Sequence, residues 1–176
     1  MVFDSMLCAF DIEGNIKWEY KMPIRYPTAV PVFISPNKFF VSDMSSVGSF
    51  VIKVENNVAT EVFNSPNMKN NWSSSVYYDG HIYGFNSSKL QCNSIADGSI
   101  KWSQRGFGKG SLIIVGDKLL VLSDKGVLKQ VNASPDGYVE NGSVQALEGK
   151  SWTAPSYANG RVFLRNLTEM SCYIIK

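Results

Sequence analysis

At 176 residues, with 44% hydrophobic and 18% charged side chains, the chain has the composition of one globular domain with a real core, which excludes intrinsic disorder. A formal net charge of +2 is too small to define a nucleic-acid surface. No apolar run approaches a membrane span; the longest, such as Leu112-Ile113-Ile114-Val115, are strand-sized.

Taken in chain order, every segment reads as strand: runs of Val, Ile, Phe, Tyr and Leu bounded by Gly, Asn, Asp, Ser and Pro, with no helical period. The first residues lack a basic segment followed by an apolar one, so no secretory signal is visible. Residues 6–22 read as two strands joined at Glu13-Gly14, the outer half of a unit. Residues 27–64, 73–104 and 110–147 read as three units of four strands each. Residues 153–175 supply the first three strands of another.

These units repeat at about forty residues. A turn residue, a basic residue and an apolar strand recur as Asn37-Lys38-Phe39-Phe40-Val41, Gly80-His81-Ile82-Tyr83-Gly84-Phe85, Asp117-Lys118-Leu119-Leu120-Val121 and Gly160-Arg161-Val162-Phe163-Leu164. A second turn recurs as Glu13-Gly14, Asn56-Asn57, Asp97-Gly98 and Asp136-Gly137. Four short strands at this period predict an all-β propeller of four-stranded antiparallel blades, because one small twisted sheet buries both faces only against neighbours. About four blades are expected over residues 1–176, as an open part of a seven- or eight-bladed ring. The two ends cannot merge into one blade, since the penultimate strand is present in both.

The phrase Ala9-Phe10-Asp11-Ile12-Glu13-Gly14-Asn15-Ile16-Lys17-Trp18, half repeated in Gly98-Ser99-Ile100-Lys101-Trp102, resembles the tryptophan-docking repeat of the pyrroloquinoline-quinone-like (PQQ-like) propellers. This is the superfamily of the quinoprotein alcohol dehydrogenases and of the outer-membrane assembly lipoprotein BamB. No Trp-Asp dipeptide closes a blade as in WD40 repeats, and no Gly-Gly pair marks kelch blades. The resemblance implies that Gly14 and Gly98 make outer hairpin turns and that Trp18 and Trp102 pack between blades. It further implies the carboxy-terminal half of a bacterial protein, periplasmic or secreted.

The family's enzymes hold a quinone and calcium, with an aspartate base and, in many, a disulfide between adjacent cysteines. No cysteines are adjacent here and no carboxylate matches the base, so no catalytic residue, cofactor or metal is expected; a fragment of a PQQ- and calcium-dependent quinoprotein dehydrogenase is the alternative. His81, the single histidine, stands where Lys38, Lys118 and Arg161 stand in other repeats, which makes it a basic residue on a solvated strand. The Gly106-x-Gly108-x-Gly110 run precedes a strand rather than a helix, so it is no dinucleotide fingerprint. Cys92 and Cys172 fall where Ala9 stands, a position for a small buried residue, with Cys8 adjacent.

The blade-crossing segments each pair a cation with an aromatic: Arg25 with Tyr26, Lys69 with Trp72, Arg105 and Lys109 with Phe107, Lys150 with Trp152. On one rim these suit an anionic or carbohydrate-like ligand, or an acidic loop of a protein partner. The same composition also fits aromatics that plug the gaps between blades beside solvated cations. Five Asn-x-Ser/Thr triplets, at Asn71, Asn86, Asn132, Asn141 and Asn166, are turn chemistry in a bacterial chain. The expected function is therefore a non-enzymatic scaffold for ligand or protein binding, or else a carbohydrate-binding surface propeller. It has no nucleic-acid partner or membrane span, and is completed by a second copy or by the remainder of the ring.

Overall fold

Lys38, His81, Lys118 and Arg161 each open the second strand of a sheet, so the sequence repeat is a structural one. The computed structural model describes residues 1–3, 5–26 and 28–175; Pro27, the expected start of the second unit, and Lys176, the expected end of the domain, lie outside them. All the regular structure is β. The first sheet holds β1 (Val2–Phe3), β2 (Met6–Phe10) and β3 (Ile16–Lys21). The second holds β4 (Val32–Ser35), β5 (Lys38–Ser42), β6 (Ser49–Glu55) and β7 (Val58–Ser65). The third holds β8 (Val76–Tyr78), β9 (His81–Asn86), β10 (Lys89–Ser94) and β11 (Ile100–Gln104). The fourth holds β12 (Ser111–Val115), β13 (Lys118–Leu122), β14 (Val127–Asn132) and β15 (Glu140–Gln145), and the fifth β16 (Ser156–Ala158), β17 (Arg161–Arg165) and β18 (Met170–Ile174). Each sheet is a meander of antiparallel neighbours in chain order.

The strand alternation shows why the sheets stack. Along β13, Leu119 and Val121 enter the core shared with the third sheet, while Leu120 and Leu122 enter the core shared with the fifth. Likewise Phe40 faces the third sheet and Val41 the first, and Ile82 faces the second sheet and Tyr83 the fourth. Successive side chains of a strand point to opposite faces, so an uninterrupted apolar strand is stable only between two sheets. Four apolar layers join the five sheets in series, and none of these layers joins the first sheet to the fifth. The chain is an open arc.

The last two strands of each of the first four sheets carry a bulge, at Ala9/Phe10, Val51/Ile52, Cys92/Asn93 and Gln130/Val131. A bulge adds local twist, which turns the outer strand away from its own sheet and toward the next one. Gly14 and Gly98 close the adjoining hairpins with φ of 89° and 71°, conformations that favour glycine.

Two expectations need correction. The first unit is not a two-stranded half: Val2 and Phe3 pair with Leu7 and Met6, adding β1, a strand too short to leave a sequence pattern. Cys172 is exposed, unlike the buried Cys8 and Cys92, because among the described residues no sheet covers the outer face of the fifth. The equivalence itself holds where both partners exist, since Ala9 pairs with Trp18 and Cys92 with Trp102.

Candidate functional site

Four connections carry the chain from the outer strand of one sheet to the innermost strand of the next, and each rests on a turn between a second and a third strand. The amides of Arg25 and Tyr26 donate to Asp43 Oδ2 at 2.6 and 2.8 Å. The amide of Ser87 donates to the Lys69 carbonyl at 3.4 Å, and that of Asp124 to the Phe107 carbonyl at 3.0 Å. Asn166 Nδ2 donates to the Glu148 carbonyl at 2.7 Å. The four connections and the four turns therefore share one face of the arc.

Asp43 shows how the face is built. Its side chain is fully buried and also accepts the Ser45 amide. Burial alone would push its carboxyl up, but the amides of Tyr26, Ser45 and Arg25 outweigh that and hold it below the usual carboxylate range. Asp124, at the same place in the fourth sheet, accepts the Lys109 amide at 3.2 Å. A Cβ on Gly108, whose φ is 61°, would lie 2.0 Å from the Asp124 carboxylate, so glycine is what lets the connection pass.

The connection over residues 66–75 is fixed from beneath by Asn70. Buried, it donates from Nδ2 to the Phe85 carbonyl at 3.1 Å, accepts from Ser75 Oγ at 2.9 Å, and sends its amide to Ser42 Oγ at 2.9 Å. Thr28 Oγ1 donates to the Asn71 carbonyl, and the Val30 amide donates to Ser74 Oγ at 2.8 Å, tying this connection to the preceding one. Ser111 Oγ donates to the Thr153 carbonyl at 3.2 Å and ties down the last.

Trp72 and Trp152 meet on this scaffold. They belong to connections two sheets apart, yet their rings lie 6.4 Å apart between centroids and within 7° of parallel. Lys109, from the connection between those two, places Nζ 5.7 Å from both rings, so it closes one edge of the pair. Lys150 Nζ lies 3.5 Å over Trp152. Two indoles and two ammonium groups from three connections thus converge, with both indoles about half exposed.

The nine residues expected on the rim divide accordingly. Trp72, Lys109, Lys150 and Trp152 come together. Arg25 and Tyr26 stand apart, beside a depression of about 510 Å³ that they line with Ser5 and Ser45 next to the first sheet. Lys69 and Arg105 lie on the same connections, Lys69 before Trp72 and Arg105 before Lys109. Phe107 is a correction: it is 1% exposed and packs edge-on against Phe85 and Tyr138, filling the gap between the third and fourth sheets. Asp43, Asp124 and Asn70, which position the face, were not legible as site residues; the shared Ser-Asp of Ser42-Asp43 and Ser123-Asp124 was the available signal.

The two repeat tryptophans each reach the neighbouring sheet. Trp18 packs on Phe39 of the second sheet at 5.5 Å, and Trp102 Nε1 donates to the Ser134 carbonyl of the fourth at 2.7 Å. Both are half-buried rather than enclosed, because the outer strands stand at the periphery. Among the described residues no three Asp, Glu, His or Cys side chains converge as a metal site would need, and the three cysteines are free.

Sheets of this topology, stacked in series and twisted at their outer strands, define a β-propeller. No family model matches the sequence, and no curated protein matches it. Among solved structures the chain is similar to BamB from Moraxella catarrhalis, with a TM-score of 0.68 and 10% identity over 97% of this chain and 56% of that one. It is also similar to two computationally designed proteins, Ika4 (TM-score 0.63, 12% identity, all of both chains) and Ika8 (TM-score 0.63, 10% identity, 99% of this chain and 57% of that one). The chain spans just over half the length of BamB. At these identities the likeness concerns the fold, and at that level it agrees with the PQQ-like resemblance of the repeats.

Proposed function

We propose that the chain is a non-catalytic propeller scaffold that binds a protein partner across the face formed by its blade-crossing connections. The observation that carries this reading is the meeting of Trp72 and Trp152, two half-exposed indoles brought together from connections two sheets apart and flanked by Lys109 and Lys150. Trp is among the residue types most enriched at interface anchors, and a pair on connections pinned by hydrogen bonds such as those of Asn70 and Ser111 loses little entropy on binding. A protein partner also agrees with the fold shared with BamB, a structure likewise built of such blades.

In the same reading, further propeller sheets cover the open ends of the arc, supplied by the same polypeptide or by a second copy. The outer face of the fifth sheet presents Phe163, Met170, Cys172 and Ile174, exposed and in one register across β17 and β18. Arg161 and Arg165, opposite Ile174 and Met170, share this face, and exposed apolar side chains at the end of a repeat array are stable once capped.

Selection of a displayed random peptide library against the purified chain tests the binding face. Enriched peptides are expected to lose binding to a Trp72→Ala/Trp152→Ala variant that retains the parent far-ultraviolet spectrum. Peptides that bind the variant as well as the parent would overturn the assignment.

A further inference from the structure

We infer that the Trp72–Trp152 cluster takes an acidic peptide segment bearing one apolar anchor residue; this deepens the protein-binding reading and rests on it. Neither ammonium group of the cluster is held in an ion pair among the described residues. The four ion pairs among the described residues join Lys17 to Asp11, Lys53 to Glu55, Lys118 to Asp117 and Lys129 to Glu140, all away from the cluster. Lys109 and Lys150 have no carboxylate within 4.0 Å among the described residues and lean instead on indole faces. Of the neighbouring acids, Glu148 is exposed on the Lys150 connection, and Asp124 and Glu169 are turned to neutral N–H donors. Asp124 accepts the Lys109 backbone amide, and Glu169 accepts the Glu148 amide and Asn166 Nδ2. An incoming carboxylate therefore meets two ammonium groups with which no carboxylate of the described residues forms an ion pair, in the partly desolvated setting of two rings where such pairing is stronger than in open water.

The anchor has its own place. Beside Lys150 and Trp152 opens a groove of about 250 Å³, bordered by Thr153, Asn166 and Leu167. Leu167 is 90% exposed, so the groove ends in an apolar wall facing solvent. Its volume is below the range of roughly 300–1,000 Å³ that encloses a cofactor or drug-sized ligand, and suits one aliphatic or aromatic side chain. A sugar ring is less well served, because Lys150 already covers a face of Trp152 at 3.5 Å, the kind of surface on which a sugar would stack.

Fluorescence polarisation with labelled short peptides tests the inference on the full chain. The probes are a Glu-rich peptide with one central Leu, the same peptide with Gly for Leu, and a Lys-for-Glu version; an oligogalacturonate serves as the carbohydrate probe. The Glu-rich Leu peptide is expected to bind and to weaken as salt rises. Replacing its Leu should weaken it about tenfold or more, as expected for an apolar side chain leaving a pocket. A Lys109→Glu/Lys150→Glu variant, changed only at exposed positions, should lose the Glu-rich peptide and gain the Lys-rich one. Equal binding of the Glu-rich peptide to parent and charge-reversed chain would overturn the inference, as would tighter binding of the oligogalacturonate. If selected peptides depend on Trp72 and Trp152 but are not acidic, the acidic class is wrong and the protein-binding face stands. If none depends on the indoles, both fail.

Discussion

The indole N–H of Trp102 donates to the carbonyl of Ser134, 2.7 Å away on the next sheet, whereas Trp18 meets its neighbouring sheet through ring contact with Phe39. Both repeat positions make an aromatic contact to the next sheet, Trp102 with Tyr138 at 5.9 Å, and Trp102 adds the hydrogen bond. Replacing either indole with Ala should cost about 3 kcal/mol, the low end of the range for large aromatics, since both are half-buried. Replacing each with Phe separates them. Trp102→Phe leaves the Ser134 carbonyl without its donor and should cost about 1 kcal/mol more than Trp18→Phe. Urea unfolding of the four variants checks both expectations.

Asp43 predicts an acid sensitivity. Its folded-state carboxyl is held below the usual range, so its stabilisation is fully present above the unfolded value near 4 and fades as pH falls through the lowered folded value. Asp43→Asn should cost about 1.5–3 kcal/mol at neutral pH, the scale of hydrogen bonds to a charged group. Below pH 4 the gap between parent and variant should shrink. Thermal unfolding across that window measures it, with Asp11, Asp97, Asp117 and Glu140 common to both proteins.

Gly110 is required by space. A Cβ there would lie 2.6 Å from Phe85 Cζ and 2.7 Å from the Leu122 carbonyl oxygen. Gly110→Ala should destabilise by about 1–3 kcal/mol, the usual cost of overpacking. Gly142, in β15 with nothing within 4 Å of its Cβ position, should accept Ala at no cost or with a gain of a few tenths.

Thiol labelling reports on the open end. Cys172 lies on the exposed face of the fifth sheet, and Cys8 and Cys92 are buried. Burial pushes the Cys92 thiol up to about 11, which further suppresses its thiolate at neutral pH. One thiol should react rapidly in the native chain and the other two only on unfolding. Slow labelling of Cys172 that speeds up on dilution would show that a second copy covers the fifth sheet.

The fold was legible because its elements are local and repeated. A basic residue after a turn marks each second strand from Lys38 to Arg161, and Gly14 and Gly98 mark hairpins that need positive φ. What escaped notice depends on distance or on a neighbour. The bulges change register without changing composition, and Phe107 reads like Trp72 in sequence although one fills a gap between sheets and the other faces solvent. Cys172 matched its repeat position yet lacks the sheet that buries Cys92. The aromatic and basic pairing of the rim was visible residue by residue. That Trp72 and Trp152 stack was not, because eighty residues separate them and only the curvature of the arc brings their connections together.

The central claim is that binding occurs on the face of the connections rather than at the open ends. Amide hydrogen exchange of the full chain, free and saturated with a selected peptide, measures this most directly. The account predicts protection concentrated in residues 66–75, 105–110 and 148–155, with β1 and β18 unchanged. Protection confined to β1, β18 and the outer face of the fifth sheet, with those connections unchanged, would contradict it.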